Sequence, residues 1–371
     1  MIPFTYATVP IQKSYAKIDC VKIDLTFLGL QLRFIIVTQS KKLNANASTN
    51  PLEAIQACIL NDIKAVNIVI QQALHSEVTL VNQVAHYIIN SGGKRLRPVL
   101  VLLSAGLFGK IKPEHHQLAA VVEFIHTATL LHDDVVDESS KRRGQNTANA
   151  LFGNAASVLV GDFVYSRAFQ MMVAVQNMRV MEVLSHATNV IAEGEVLQLL
   201  NVHNADISDE DYLQVIHYKT AKLFEAATRL GAIISDASAT DEAALSLYGM
   251  HIGTAFQLID DVLDLSGNAL EIGKNIGDDL SEGKPTLPLL YAMRHGSTAE
   301  AETIKRAIEQ GGLDDLPSVL STVERTGALE HVRQVATKEA ELAYAAIAHF
   351  ADSNFKQALI MLADFSVNRN F

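Results

Sequence analysis

Cysteine is nearly absent: Cys20 and Cys58 are the two in 371 residues. A disulfide framework or a cysteine-based zinc site is therefore unsupported, and a reducing, cytoplasmic compartment is expected. Basic residues are outnumbered, with 30 Lys and Arg against 41 Asp and Glu and a formal charge of -11, so the basic face of a nucleic-acid binder is not expected. Long apolar runs are missing as well. The most apolar N-terminal stretch, Leu25 to Val37, carries Gln31 and Arg33 and falls short of the roughly 20 residues a membrane span needs. It does not read as a signal peptide either, because Asp19 and Asp24 lead into it and no small-residue cleavage pattern comes after it. Strand-like alternation is scarce, and no proline occurs between Pro113 and Pro285. Since proline breaks helix interiors, that gap predicts a bundle of long helices.

The residues that are present agree. Hydrophobic residues make up 49% of the chain, enough for a large core. Leu118, Val122, Ile125 and Thr129 step by three and four like one helix face, and Ser208 with Asp211 and Ser297 with Glu300 have capping-box spacing. Residues 51–371 therefore read as an all-α domain. Residues 1–50 mix polar residues into short apolar runs and end in KKLNANASTNP; they read as an N-terminal appendage or a misassigned start, and Met171 is the next methionine after Met1.

Two acidic clusters interrupt apolar helical segments. In EFIHTATLLHDDVVDESSKRRG, Asp133 and Asp137 lie four apart with Asp134 between them; in AFQLIDDVLDLSG, Asp260, Asp261 and Asp264 repeat the pattern. Residues four apart share a helix face about 5–6 Å from one another, where like charges repel, so a compensating cation is expected. Oxygen ligands without His or Cys suit a hard ion such as Mg2+. One cluster alone could be a solvated helix end. Two, facing each other, would make a carboxylate cage around a diphosphate. GGKRLRP supplies Lys94, Arg95 and Arg97 after a glycine pair, and Arg142 and Arg143 come just after the first cluster. Each alone reads as a surface charge; together they outline an anion site. On the residues alone His126 reads as a core histidine, and His132 as structural.

These segments resemble the signature motifs of the trans-isoprenyl diphosphate synthases, in order and spacing. GNAASVLVGDF, AEGEVLQL, YKTAKLF and GKNIGDDLSEGKPTLPLL extend the resemblance to the long-chain branch, with most similarity to bacterial octaprenyl diphosphate synthases of quinone side-chain synthesis, over residues 51–371. The resemblance implies an isoprenoid synthase-type all-α bundle around a central apolar cavity, and a homodimer. It further implies that Asp133 and Asp137 hold two Mg2+ ions and Asp260 a third, with Asp134, Asp261 and Asp264 as direct or indirect partners. Arg142, Lys219 and Lys284 would grip the allylic prenyl diphosphate; Lys94, Arg97, His126 and Arg143 the isopentenyl diphosphate. Thr220, Gln257 and Lys274 fall at the reacting centre. Short-chain relatives carry bulky aromatics four or five residues before the first Asp, where this chain has Thr129 and Ala128, implying an open tunnel floor and a long product. Competing readings are a shorter-chain synthase, a class I terpene cyclase, a non-catalytic subunit of a heteromeric synthase, a quinone-pathway scaffold without turnover, and a helical metal phosphohydrolase. The intact second cluster argues against the cyclase, and its lack of histidine against the phosphohydrolase.

Overall fold

The computed structural model describes residues 51–142, 144–266 and 276–369. The expected appendage at 1–50, together with Arg143 and Lys274, lies outside the described residues. The chain runs through α1 (Pro51–Gln56), α2 (Leu60–Ala73), α3 (Thr79–Asn90), α4 (Leu96–Gly106) and α5 (Pro113–Val136). A hairpin comes next, with β1 (Lys141–Arg142) paired antiparallel to β2 (Gln145–Asn146). Then come α6 (Ala148–Phe152), α7 (Asn154–Ala174), α8 (Met178–Asn201), α9 (Asp209–Ile216), α10 (Lys222–Ile234) and α11 (Ala239–Ser266). After the short α12 (Asp278–Ser281) the chain continues through α13 (Leu287–His295), α14 (Thr298–Gln310), α15 (Leu316–Thr326), α16 (Ala328–Ile347) and α17 (Asn354–Asn368).

The proline gap holds α7, α8 and α11 and nearly all of α5, the four longest described helices, of 21, 24, 28 and 24 residues. Three prolines sit in first turns, Pro113 in α5, Pro288 in α13 and Pro317 in α15, where the missing N–H would have had no helical partner. Both expected capping boxes form, Ser208–Asp211 at α9 and Ser297–Glu300 at α14. Central to the bundle is α10, packed on α4, α5, α8 and α11. Its Phe224, Ala227 and Leu230 are fully buried in the main core with Leu102, Leu118 and Ile125; each such large apolar side chain contributes about 1.5–3 kcal/mol on burial. Among the described residues no helix is long and apolar enough to cross a membrane.

His115, in the first turn of α5, is fully buried. Its Nδ1 accepts the Lys112 backbone N–H at 2.8 Å, which requires a neutral ring, and Nε2 faces the Gly231 carbonyl at 3.3 Å. Burial pulls its pKa down from 6.5 to about 4. The unfolded ring therefore takes up a proton before the folded one does, so this contribution to stability is full above pH 6.5 and is lost as pH falls towards 4. Thermal melts across that interval should show the wild type losing more stability than His115→Asn, whose carbonyl can accept the same N–H without titrating; parallel curves would refute this.

Candidate active site

Both acidic clusters fall at the C-terminal ends of their helices. Asp133 and Asp134 lie in the last turn of α5, and Asp137 is its C-cap rather than a residue inside the helix, its N–H donating to the Asp133 carbonyl at 2.8 Å. Asp260, Asp261 and Asp264 occupy the last two turns of α11. A helix C-terminus carries partial negative charge, and an added anion there is unfavourable by about 0.3–1 kcal/mol. The repulsion expected from spacing is thus compounded by the backbone.

One cavity of about 750 Å³ is lined by Asp133, Asp137, Asp260, Asp261 and Asp264 together with Lys94, Arg97, His126, Thr129, Arg142, Lys219, Thr220, Gln257 and Lys284. The structure therefore brings together most of the residues named from sequence. Two lie elsewhere. Asp134 is fully buried and does not line the cavity; its Oδ1 accepts from Arg142 Nε at 2.9 Å and Nη2 at 2.7 Å. Ala128 belongs to the main core, whereas its neighbour Thr129 faces the cavity. His132 turns towards α7, its Nε2 3.2 Å from the Val158 carbonyl and 3.4 Å from Asp162.

Protein cations meet the carboxylates one by one. Lys219 Nζ stands 2.6 Å from Glu195 and 3.9 Å from Asp133. Lys284 Nζ is 3.2 Å from Asp137 and also pairs with Glu282. Arg369, with a side chain 2% exposed, reaches Asp260 at 2.7 Å and lies 3.8 Å over the Phe256 ring. Asp261 accepts from Tyr212 and from Gln257 Nε2, which is 2.9 Å away, and Gln257 Oε1 in turn accepts from Thr220 at 3.0 Å. Burial, and then the neighbouring Asp279, push the Asp261 carboxyl up to about 8. Burial likewise raises Asp133, against the pull of Lys219. At Lys284 burial works against the charge, but Asp279, Asp137 and Glu282 outweigh it and hold the ammonium above its usual range.

Among the described residues no three His, Cys, Asp or Glu side chains converge closely enough to hold an ion by themselves. The donor set nonetheless fits Mg2+. That ion characteristically takes one or two carboxylates and completes its shell with water and phosphate oxygens, and carboxylates from two helices line one cavity without a cysteine among its lining residues.

On the basic side, Lys94 lies 5.6 Å from the Phe365 ring centroid and Arg97 4.6 Å from that of Phe224. The loop carrying them has Gly92 at φ +87° and Gly93 at φ +151°, where glycine is needed. Sequence reasoning missed Glu195, Asp279, Tyr212 and Arg369, all of which line the cavity. Glu195 was findable, because Glu195, Gln198 and Asn201 step by three along α8 and all three face the cavity. Arg369 had no such signal; its partner Asp260 is 109 positions earlier in the chain.

An all-α bundle that gathers two sets of carboxylates and several cations on one cavity is the framework of an enzyme acting on diphosphates with hard metal ions. Residues 78–323 match the polyprenyl synthetase family, and the chain belongs to that family. It is 52% identical over 320 residues to the octaprenyl diphosphate synthase of Escherichia coli K12, covering 86% of this chain and 99% of that one. Among solved structures it resembles a polyprenyl synthase from Caulobacter crescentus complexed with calcium and isoprenyl diphosphate, at TM-score 0.84 and 42% identity, covering 88% of this chain and all of that one. A decaprenyl diphosphate synthase from Rhodobacter capsulatus superposes at TM-score 0.82 with 46% identity, covering 86% of this chain and all of that one.

Replacing Arg369 by Ala should leave Asp260 without its guanidinium partner and lower stability by about 1.5–3 kcal/mol. Added Mg2+ should then raise the melting temperature of the variant more than that of the wild type. Equal increments would show that Arg369 does not compensate Asp260.

Proposed function

We propose that this prenyltransferase makes a long all-trans product, octaprenyl diphosphate, by condensing isopentenyl diphosphate onto an allylic diphosphate such as farnesyl diphosphate, for quinone side chains. The observation that carries the proposal is the pair of carboxylate clusters at the ends of α5 and α11, opening on one cavity that also holds Lys94, Arg97, Arg142, Lys219 and Lys284. The octaprenyl assignment rests on the 52% identity to a protein of that name.

Asp133 and Asp137 would hold two Mg2+ ions and Asp260 a third, with Asp264 beside it. Bound there, the ions neutralise charge that develops on the leaving diphosphate. Asp134 and Asp261 act at one remove: Asp134 orients Arg142, and Asp261 fixes Gln257 and through it Thr220. Lys219, Lys284 and Arg142 donate to the allylic diphosphate. Lys94, Arg97, His126 and Arg143 hold the isopentenyl diphosphate, and Lys274 completes the reacting centre. As the allylic C–O bond breaks, its electron pair leaves on the diphosphate. The isopentenyl double bond then supplies the electrons of the new C–C bond, and a proton is lost to the released diphosphate. Fixed ammonium and guanidinium groups stabilise that developing charge without reorganising. The apolar helices around them keep water from the cation. A relative at 42% identity bears calcium and isoprenyl diphosphate together, which supports joint binding of divalent cation and diphosphate. Thr129, small and on the cavity wall, leaves room for a growing chain whose burial is worth about 25 cal/mol per Å².

The enzyme is proposed to work in the cytoplasm as a homodimer joined through the outer faces of α7 and α8. Opposite the cavity-lining face of α8, Val196, Leu199 and Leu200 are exposed, Leu200 by 71%, and Leu159 of α7 by 66%. Exposed apolar side chains grouped on one helix face, as on α8, fit an association site.

Incubation with farnesyl diphosphate, labelled isopentenyl diphosphate and Mg2+ should yield a prenyl diphosphate of eight units by chromatography, and chelation should stop it. No elongation at all would sink the synthase reading; a different length would sink the octaprenyl assignment alone. Asp133→Ala and Asp260→Ala should each abolish turnover while circular dichroism stays helical, and near-normal rates would show the metal positions to be misassigned. For the dimer, Leu200→Glu should sediment as a monomer while circular dichroism stays helical; an unchanged dimer would place the interface elsewhere.

A further inference from the structure

Between α9 and α10 the helix is not regular: His217–Ala221 forms a π-helical turn. Such turns are rare and occur mostly as single-turn bulges at functional sites. Here the bulge lies against Gly194 of α8, where a Cβ would stand 2.7 Å from the Lys219 backbone nitrogen and 2.8 Å from Tyr218 Cβ. Any side chain at 194 would push the two helices apart. The contact brings the next residue of α8, Glu195, within 2.6 Å of Lys219 Nζ. The turn also places consecutive residues at the two acidic clusters, Lys219 beside Asp133 and Thr220 on Gln257 and so on Asp261.

We propose that Glu195 is a positioning residue that holds the Lys219 ammonium at the Asp133 cluster, aimed at the diphosphate. The proposal rests on the reading of Lys219 as a diphosphate-binding residue. Lys219 has a long flexible stem, and of its two anionic neighbours Glu195 is the nearer by more than an ångström. Asp133 is also assigned to metal, so its carboxylate is engaged once substrate is bound. Glu195 belongs to neither metal cluster and keeps hold of the ammonium throughout. Its carboxyl is pushed up to about 7, first by burial, with Lys219 pulling the other way.

The test uses the full-length enzyme and inorganic diphosphate with Mg2+ as a probe of binding, measured by titration calorimetry, alongside the KM for the allylic substrate. Glu195→Ala should weaken Mg2+–diphosphate binding and raise that KM by roughly tenfold to a hundredfold, as expected for a lost charged hydrogen bond. Glu195→Gln, which keeps an acceptor for Lys219, should recover a large part of the loss, and it carries the same test if the alanine variant does not fold. In a Lys219→Ala background, Glu195→Ala should cost nothing more. Additive losses, or wild-type binding by Glu195→Ala, would overturn the proposal. Wild-type binding and turnover by Lys219→Ala would instead remove Lys219 from the substrate site, and with it the role given to Glu195.

Discussion

Negative charge concentrated where helices already end negative is the constraint around which the site is built. Asp133 and Asp137 close α5, and Asp260, Asp261 and Asp264 close α11, so side-chain repulsion and backbone dipole act in the same direction. The fold answers with cations from four separate elements: Arg142 from the nearby hairpin, Lys219 from the π-helical turn, Lys284 from the loop after α12, and Arg369 beyond α17. Each of these elements delivers one positive group to the carboxylates.

The same arrangement separates two tasks between neighbouring residues. Asp133 faces the cavity while Asp134 turns into the protein and fixes Arg142; Asp260 faces Arg369 while Asp261 is held by Tyr212 and Gln257. Adjacent helical residues point about 100° apart, so at the first doubled Asp one carboxylate lines the cavity and the other does not. Breaking a buried pair such as Asp134–Arg142 typically costs about 3–5 kcal/mol, which makes the inward member a structural fixture as much as a functional one.

Much of this was legible in the sequence because it is local. The proline-free stretch predicted long helices, and the capping pairs at Ser208 and Ser297 marked the starts of two shorter ones. The doubled-Asp spacing announced the charge problem. Spacing could not tell that Asp137 is a C-cap, since residues four apart stay close whether the second continues the helix or ends it. Nor could it show that Ala128 faces the core and Thr129 the cavity, a difference of one helical step set by how α5 is rotated in the bundle. Arg369 and Tyr212 escaped because their partners are distant in sequence, and no periodic pattern links Asp260 to a residue more than a hundred positions away.

The π-helical turn at His217–Ala221 makes chain length, and not only composition, part of how this site is encoded. Loss of a single residue there would restore an ordinary α-helix and rotate α10 relative to α9 by about 100°. Lys219 and Thr220 would then be carried off their present partners although no side chain of either acidic cluster had been changed. A substitution in this turn removes one group; a deletion disengages both clusters at once.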